Sequence, residues 1–289
     1  MSDDPFVALR SLLFTVAYEM LGSAADAEDV VQETWLRWGG VDRSRIRDPR
    51  AYLVQVVTRQ SLNRLRTLSR RREEYVGEWL PEPLLTAPDV AEEVELADSV
   101  SIAMLTVLET LGPTERAVFV LREVFDVPYD EIADAVEKPA ATVRQIALRA
   151  RRHVAARRPR VRVSRSEHEA VVERFLAVLR TGRLAELMEV MAPDVVFVAD
   201  GGGLAPAVRV PVHGAERVVR LLAAGQRAVG VLAATAVRLN GSLGCRIEVV
   251  DDQPTWVSFV VEDGRISRIY AMRNPEKLTR LDEPAELAR

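Results

Sequence analysis

Residues 113–158 read PTERAVFVLREVFDVPYDEIADAVEKPAATVRQIALRARRHVAARR, and the reading of this stretch decides the fold. In its last part Val143, Ile146, Ala147, Ala150 and Val154 recur at helical spacing and share one stripe, the pattern of a face turned to a core. Arg144, Gln145, Arg149 and Arg152 fall on the opposite side. Eight arginines and no Asp or Glu lie between Lys138 and Val163, a local positive field suited to phosphates. Upstream, Ile132, Ala133 and Val136 define a short amphipathic helix, and Glu137-Lys138-Pro139 breaks the chain before the next one. Two short helices, a tight break and a basic second helix stand in the order that a DNA-reading helix-turn-helix requires. That conjunction outweighs the plainer reading of a solvated basic helix end.

Working outward, 289 residues leave room for two or three domains, and 48% hydrophobic content is enough for real cores. The net charge of −4 gives no whole-protein attraction to nucleic acid. Charge is instead blocked along the chain, basic over 49–72 and 138–162 and acidic between, which points to local binding faces. A single cysteine, Cys245, and three histidines argue against a disulfide framework and a dedicated zinc site, so no metal and no cofactor are expected. There is no charged-then-apolar leader and no apolar run of about 18 residues, so the chain is expected to be soluble and cytoplasmic, with no membrane partner.

The first segment is helical over 6–21 and closed by Gly22-Ser23. In DAEDVVQETWLRW, residues 26–38, Val30, Val31, Thr34, Trp35 and Trp38 share the inward arc, while Asp26, Asp29, Gln32, Glu33 and Leu36 share the outward one. An acidic face with an apolar patch suits a basic protein partner, although acids in a first turn also favour the helix dipole. After Asp48-Pro49 a helix carries Arg50, Arg59, Arg64, Arg66, Arg70, Arg71 and Arg72, with Gln60 and Asn63 among them. Amides beside arginines can read base edges while the arginines hold phosphates. Trp38 and Tyr52 are assigned to the core rather than to stacking.

From 73 to 98 the sign reverses: Glu73, Glu74, Glu78, Glu82, Asp89, Glu92, Glu93, Glu95 and Asp98 occur with no Lys or Arg, and prolines 81, 83 and 88 keep most of the segment from being helical. A flexible coil of about 25 residues spans roughly 25–30 Å, and about 80 Å when fully extended. DNA elements about two helical turns apart lie roughly 70 Å from each other, so something outside the linker must hold the two basic modules apart. WLPEPL at 79–84 is too apolar to be left in water, which predicts that it docks on a folded surface.

Beyond 165 the pattern changes. Residues 166–182 and 184–191 read as helices, 195–199, 234–239, 245–250, 255–261 and 265–272 as strands, and 213–229 as a further helix. Turns fall at Asn240-Gly241, Asp251-Asp252 and Asp263-Gly264. Helices followed mainly by an antiparallel meander indicate an α+β domain with a curved antiparallel sheet wrapped on helices. Asp200-Gly201-Gly202-Gly203 suits a turn with positive φ, and Asn274-Pro275-Glu276 a helix start with cap and N1 proline. Either segment can contact the rest of the chain as well.

Residues 6–158 resemble a bacterial sigma factor of the extracytoplasmic-function (ECF) type. DAEDVVQETWLRW is similar to that family's clamp-binding helix, and LGPTERAVFVLRE, YDEIA and TVRQIALRARRHV to its σ4 core. The C-terminal order of elements resembles the SnoaL-like cone fold. WLPEPL, DGGG at 200–203 and NPEKL at 274–278 are similar to the three signature segments of the SigJ-like group, whose sigma factors carry such a domain. The resemblance implies a multidomain chain: an all-α σ2 domain at 1–72, an acidic linker at 73–98, an all-α helix-turn-helix σ4 domain at 99–160 and an α+β SnoaL-like regulatory domain at 166–289.

It further implies that Asp29, Gln32, Glu33 and Leu36 grip the clamp helices of core RNA polymerase, whose flap is a second contact, and that the linker enters the enzyme's nucleic-acid channels. Arg59, Gln60, Asn63, Arg64 and Arg66 would engage the promoter −10 element, and Thr142, Arg144, Gln145, Arg149 and Arg152 the −35 element. Trp79, Leu80, Pro81, Leu84, Asp200, Gly201, Gly202, Gly203, Asn274, Pro275, Lys277 and Leu278 would make regulatory contacts within the chain.

The chain departs from the family at several points. Gln60 and Asn63 stand where Asn and Asp are usual, Leu204 where a Lys commonly follows the glycines, and Glu276 where Asp is commoner. Glu137 stands near a frequent Gly; a left-handed Glu costs about 1 kcal/mol, which predicts another turn geometry.

The expected function is promoter-specific initiation with polymerase, modulated in cis by the C-terminal domain, which leaves room for a small-molecule ligand. One rival is a helix-turn-helix regulator that does not replace sigma. Another is an isomerase or cyclase activity of the last domain, with Asp194, Asp200, His213 or Tyr270 as acid and base. Their spacing shows no convergence and fold analogy does not establish chemistry, so no enzyme is expected.

Overall fold

The first helix, α1 (Pro5–Leu21), has no polar face over its second half: every residue from Leu12 to Leu21 is buried, Thr15 and Glu19 included. A helix that is apolar all round belongs in the middle of something, and α1 is the central element of the helical part of the computed structural model. The structure describes residues 4–87, 94–158, 163–229, 231–249 and 252–289. Several features expected from sequence lie outside the described residues: Pro88, Asp89, Glu92, Glu93, Arg160, Arg162, Asp251 and the side chains of Arg70, Arg71 and Arg72.

Asp4 caps α1 by accepting from the Phe6 amide at 3.0 Å, and Gly22, at φ 67°, ends it. Against α1 pack α2 (Ala24–Gly39) and the long α3 (Pro49–Glu73). On α2 the buried stripe is Ala24, Ala27, Val30, Val31, Thr34 and Trp38. Trp35 departs from the sequence expectation, being 40% exposed. It sits at the edge of the stripe, with its ring centroid 4.9 Å from that of Phe6. Trp38 is buried, and its ring meets that of Tyr52 at 5.9 Å.

After the linker come α4 (Val94–Ser99), α5 (Ile102–Leu108) and α6 (Pro113–Phe119), the last continued by one π-helical turn over Val120–Val124. The helix-turn-helix follows as α7 (Tyr129–Val136) and α8 (Ala140–Arg157), with Val143, Ile146, Ala147, Ala150 and Val154 buried. The turn does not avoid the left-handed region as expected: Glu137 sits at φ 56°, ψ 48°. Its amide and that of Lys138 both bond to the Ala133 carbonyl, closing the orphaned end of α7, and these bonds offset the local penalty. The two helical units share one continuous core that runs from Phe6 to Val154 and takes in Leu84 and Leu96.

In the last part, α9 (Arg165–Thr181) is followed by a 3-10 turn at Leu184–Glu186 and the short α10 (Leu187–Val190). The single helix expected over 184–191 is therefore split, and β1 (Met191–Asp200) starts earlier than anticipated because the backbone turns extended at Met191. After β2 (Val212–His213) and α11 (Ala215–Val229) come β3 (Val231–Leu239), β4 (Ser242–Val249), β5 (Thr255–Glu262) and β6 (Arg265–Met272). They form an open, curved sheet in the order β2-β1-β6-β5-β4-β3. It is not wholly antiparallel, since β1 and β6 run parallel.

Both faces of this sheet are covered. Val195, Phe197, Ala199, Val257, Phe259, Ile269 and Ala271 pack with Phe175 and Leu176 of α9. The alternate residues Val198, Trp256, Val260, Tyr270 and Met272 pack with Leu80 of the linker, Ile102 of α5 and Leu281. The period of two explains the division: one set of side chains builds the domain, and the other joins it to the helical units.

Candidate functional site

The outward face of α2 is open. Leu36 is 70% exposed, and Asp29, Gln32 and Glu33 lie in water around it. The acids are already in use inside the chain. Asp29 pairs with Arg64 of α3 at 2.6 Å, Asp26 with the same arginine at 3.1 Å, and Glu33 accepts from Gln60 Nε2 at 3.0 Å. The structure thus brings together two sets of residues that the sequence reading kept apart. Gln60 is nearly buried rather than displayed. Asn63 and Arg66 stay exposed and bond each other at 3.1 Å.

Arg59 reaches across to the helix-turn-helix, donating to the Asp134 carbonyl at 2.8 Å and lying 3.7 Å from the Glu137 carboxylate. α3 is therefore packed on α7. On α8, Arg144, Gln145, Arg149 and Arg152 are exposed on the side away from the core, with Thr142 at its rim. Arg144 stands 5.5 Å over the Tyr129 ring. Arg151 is held by both oxygens of Glu123 at 2.7 and 3.0 Å and belongs to the scaffold.

The most completely built polar site lies where the linker crosses the sheet domain. Asp200, at the end of β1, is fully buried. Its Oδ2 accepts from the Leu80 amide at 2.9 Å and from Lys277 Nζ at 2.7 Å, and its Oδ1 accepts from the Tyr75 hydroxyl and from the Gly202 amide at 3.1 Å. Lys277, itself 5% exposed, also donates to the Leu80 carbonyl at 2.6 Å and stands 3.2 Å from the Trp79 ring centroid. Asn274 caps the turn Pro275–Lys277 with its Oδ1 and donates from Nδ2 to Tyr75 at 2.7 Å. Burial, helped by the neighbouring Asp200 carboxylate, holds the Tyr75 phenol well above its ordinary range. At Gly202, φ is 60° and an added Cβ would fall 2.3 Å from Asn274 Nδ2, so turn geometry and close approach both require glycine. Pro81, Pro83 and Leu84 are buried as well, Leu278 packs against the second face of the sheet, and Gly201 and Gly203 complete the turn.

Several residues of this site were not singled out from sequence. Glu82 caps α2, accepting from Ser23 Oγ at 2.8 Å and from the Ala24 and Ala25 amides at 2.7 and 3.1 Å. Burial raises its pKa, and these donors pull against that. A linker acid thereby completes the helix that carries the exposed acidic face. At the β3–β4 turn, Asn240 joins three segments. Its Nδ2 donates to the Tyr18 hydroxyl at 2.7 Å and to the Val100 carbonyl at 2.8 Å, while Oδ1 accepts from the Leu84 amide at 2.9 Å. Asn240-Gly241 was visible in the sequence only as a hairpin turn. Nothing local marked it as a joint.

The four acid–base candidates do not face one space. Asp200 and Tyr270 turn to the linker side of the sheet, whereas Asp194 and His213 are exposed. Cys245 is buried in the core between the sheet and α9, which pushes its thiol up to about 12. Among the described residues no group of three or more His, Cys, Asp or Glu could hold a metal ion, and no helix is long and apolar enough to cross a membrane.

Comparison with known proteins agrees with this geometry. Residues 6–71 match the model of sigma-70 region 2, and residues 101–154 that of sigma-70 region 4. The ECF RNA polymerase sigma factor SigJ of Mycobacterium tuberculosis is 39% identical over 95% of this chain and 92% of its own length. The probable ECF sigma factor SigI of the same species is 32% identical over 94% of this chain and 92% of its own. The crystal structure of M. tuberculosis SigJ superposes with a TM-score of 0.79 at 35% identity, covering 96% of this chain and 98% of the other.

Proposed function

The chain belongs to the ECF family of RNA polymerase sigma factors, and from that premise we propose that its C-terminal domain holds the sigma domains in a compact resting form. As a sigma factor it directs promoter-specific initiation with core RNA polymerase. What the C-terminal domain adds is restraint in cis. The observation that carries this reading is Asp200, a buried carboxylate on the sheet domain whose ligands include the linker's Tyr75 hydroxyl and Leu80 amide. With the linker docked and α3 packed on α7, the two basic helices belong to one core. They cannot sit on elements roughly 70 Å apart until that core parts.

In this reading, 1–72 forms the σ2 domain, 73–98 the linker, 99–160 the σ4 domain and 166–289 the regulatory domain. Asp29, Gln32, Glu33 and Leu36 dock on the clamp helices; Arg59, Gln60, Asn63, Arg64 and Arg66 engage the −10 element; Thr142, Arg144, Gln145, Arg149 and Arg152 engage the −35 element. The protein works in the cytoplasm, where polymerase is. The last domain acts by contact rather than catalysis, a reading supported by Asp200 and Tyr270 facing the linker instead of the cone interior.

Transcription from the cognate promoter by reconstituted polymerase tests the proposal, comparing the full chain with one lacking residues 166–289. Unchanged output together with unchanged contacts between the sigma domains would remove it. For the DNA-reading helix, Arg149→Ala should weaken promoter binding evenly across sequences, and Gln145→Ala should alter −35 preference. Identical behaviour of the two in competition against variant promoters would refute that division of labour.

A further inference from the structure

Where α1, α4 and α6 meet, the chain buries a carboxylate it does not fully satisfy. Glu19 of α1 has no exposed surface. Its Oε1 accepts from Ser99 Oγ of α4 at 2.7 Å, and its Oε2 has no hydrogen-bond partner. Across from it lies Arg116 of α6, 2% exposed. That guanidinium is spent elsewhere: Nε donates to the backbone carbonyl of Glu19 at 3.0 Å, Nη1 pairs with Glu109 at 2.8 Å, and Nη2 has no partner. Arg289, already paired with Glu95, also acts on Glu19, while Glu82 acts on the adjacent Tyr18 and caps α2. An ionised carboxylate with one hydrogen bond in a buried junction is costly, and a neutral acid there costs far less. Separation of the two helical units would expose this carboxyl to water.

We propose that Glu19 is a proton-operated clasp of the compact form, held there as the neutral acid, so that loss of its proton to water favours parting of the σ4 domain from α1. This rests on the compact form being the resting form. Burial is the dominant influence on Glu19 and pushes it up to about 7 from an ordinary 4.5, with Ser99, Arg116 and Arg289 pulling the other way. The same burial brings Arg116 down to about 9. The sign follows from proton binding. A carboxyl that holds its proton more tightly in the compact form contributes most to that form below about pH 4.5, and the contribution is lost as pH rises through about 7.

The test uses the full chain labelled for energy transfer at Arg37→Cys and Lys138→Cys, two exposed positions on the σ2 and σ4 sides. Cys245 is buried and does not compete for label. The ratio of compact to open protein should fall on the order of tenfold between about pH 5.5 and 7.5. Glu19→Gln, with a melting curve showing that it folds, should stay compact and flat across that range. A flat wild-type profile, or a Gln variant that keeps the pH dependence, overturns the clasp. Adding core polymerase separates the two ideas. Loss of transfer with polymerase but none with pH sinks the clasp alone, and no loss with polymerase sinks the resting-form reading together with it.

Discussion

At the joint between linker and sheet domain, both oxygens of Asp200 are hydrogen-bonded, and Lys277 neutralises the charge. At the joint between the two helical units, Glu19 keeps one oxygen and Arg116 one nitrogen without a partner. Neither Asp200 nor Glu19 has exposed surface. The first is a closed hydrogen-bond network and the second an open one, and in a low-dielectric interior that difference is large. A satisfied network resists separation because each group has more to lose than to regain from water. An unsatisfied one gives back part of its desolvation energy when it parts. The chain thus anchors its linker firmly on the sheet domain and holds its two helical units together less firmly.

The largest effect that would break this contrast comes from Lys277→Met. It leaves the Asp200 carboxylate buried without its counter-charge, and a loss of about 3–5 kcal/mol is expected in denaturant unfolding. Asp200→Asn combined with Lys277→Met should recover much of that loss, because no isolated charge remains. Next is Asn240→Ala, which strips Tyr18, Val100 and Leu84 of a shared partner. A cost of about 1–3 kcal/mol is expected, with hydrogen exchange rising at Leu84.

Ser99→Ala sharpens the other side. It takes away the single hydrogen bond of the Glu19 side chain, so the midpoint of the pH-driven opening should move upward while stability at low pH changes by about 1 kcal/mol or less. Smallest is Arg59→Ala. Its contacts to Asp134 and Glu137 are exposed, and a change of less than about 1 kcal/mol is expected in unfolding.

Much of this was legible in the chain. The buried stripe of α8 and its exposed arginines follow from a 3.6-residue period, and Gly22 and Gly182 end their helices where the sequence said they would. The two reversals at Asn240-Gly241 and Asp263-Gly264, with positive φ at all four residues, are what their composition demands. Trp35 was misplaced because periodicity gives the centre of a stripe but not how far a neighbour extends over its edge. Glu137 entered the left-handed region because hydrogen bonds to Ala133 outweigh a side-chain penalty, a balance that propensity does not contain. The parallel β1–β6 pair was missed because strand order is not local.

The sequence by itself determined the element types, the charge blocks and the family, because each rests on short-range spacing or on contiguous motifs. Only the tertiary structure decided which groups share a dry space. Tyr75 and Leu80 of the linker lie far along the chain from Asp200 and Lys277, and they become one site because the second face of the sheet needs an apolar cover, which the linker supplies. Glu19 and Arg116 meet for the same reason, since α1 can bury its whole circumference only if α4 and α6 close over it.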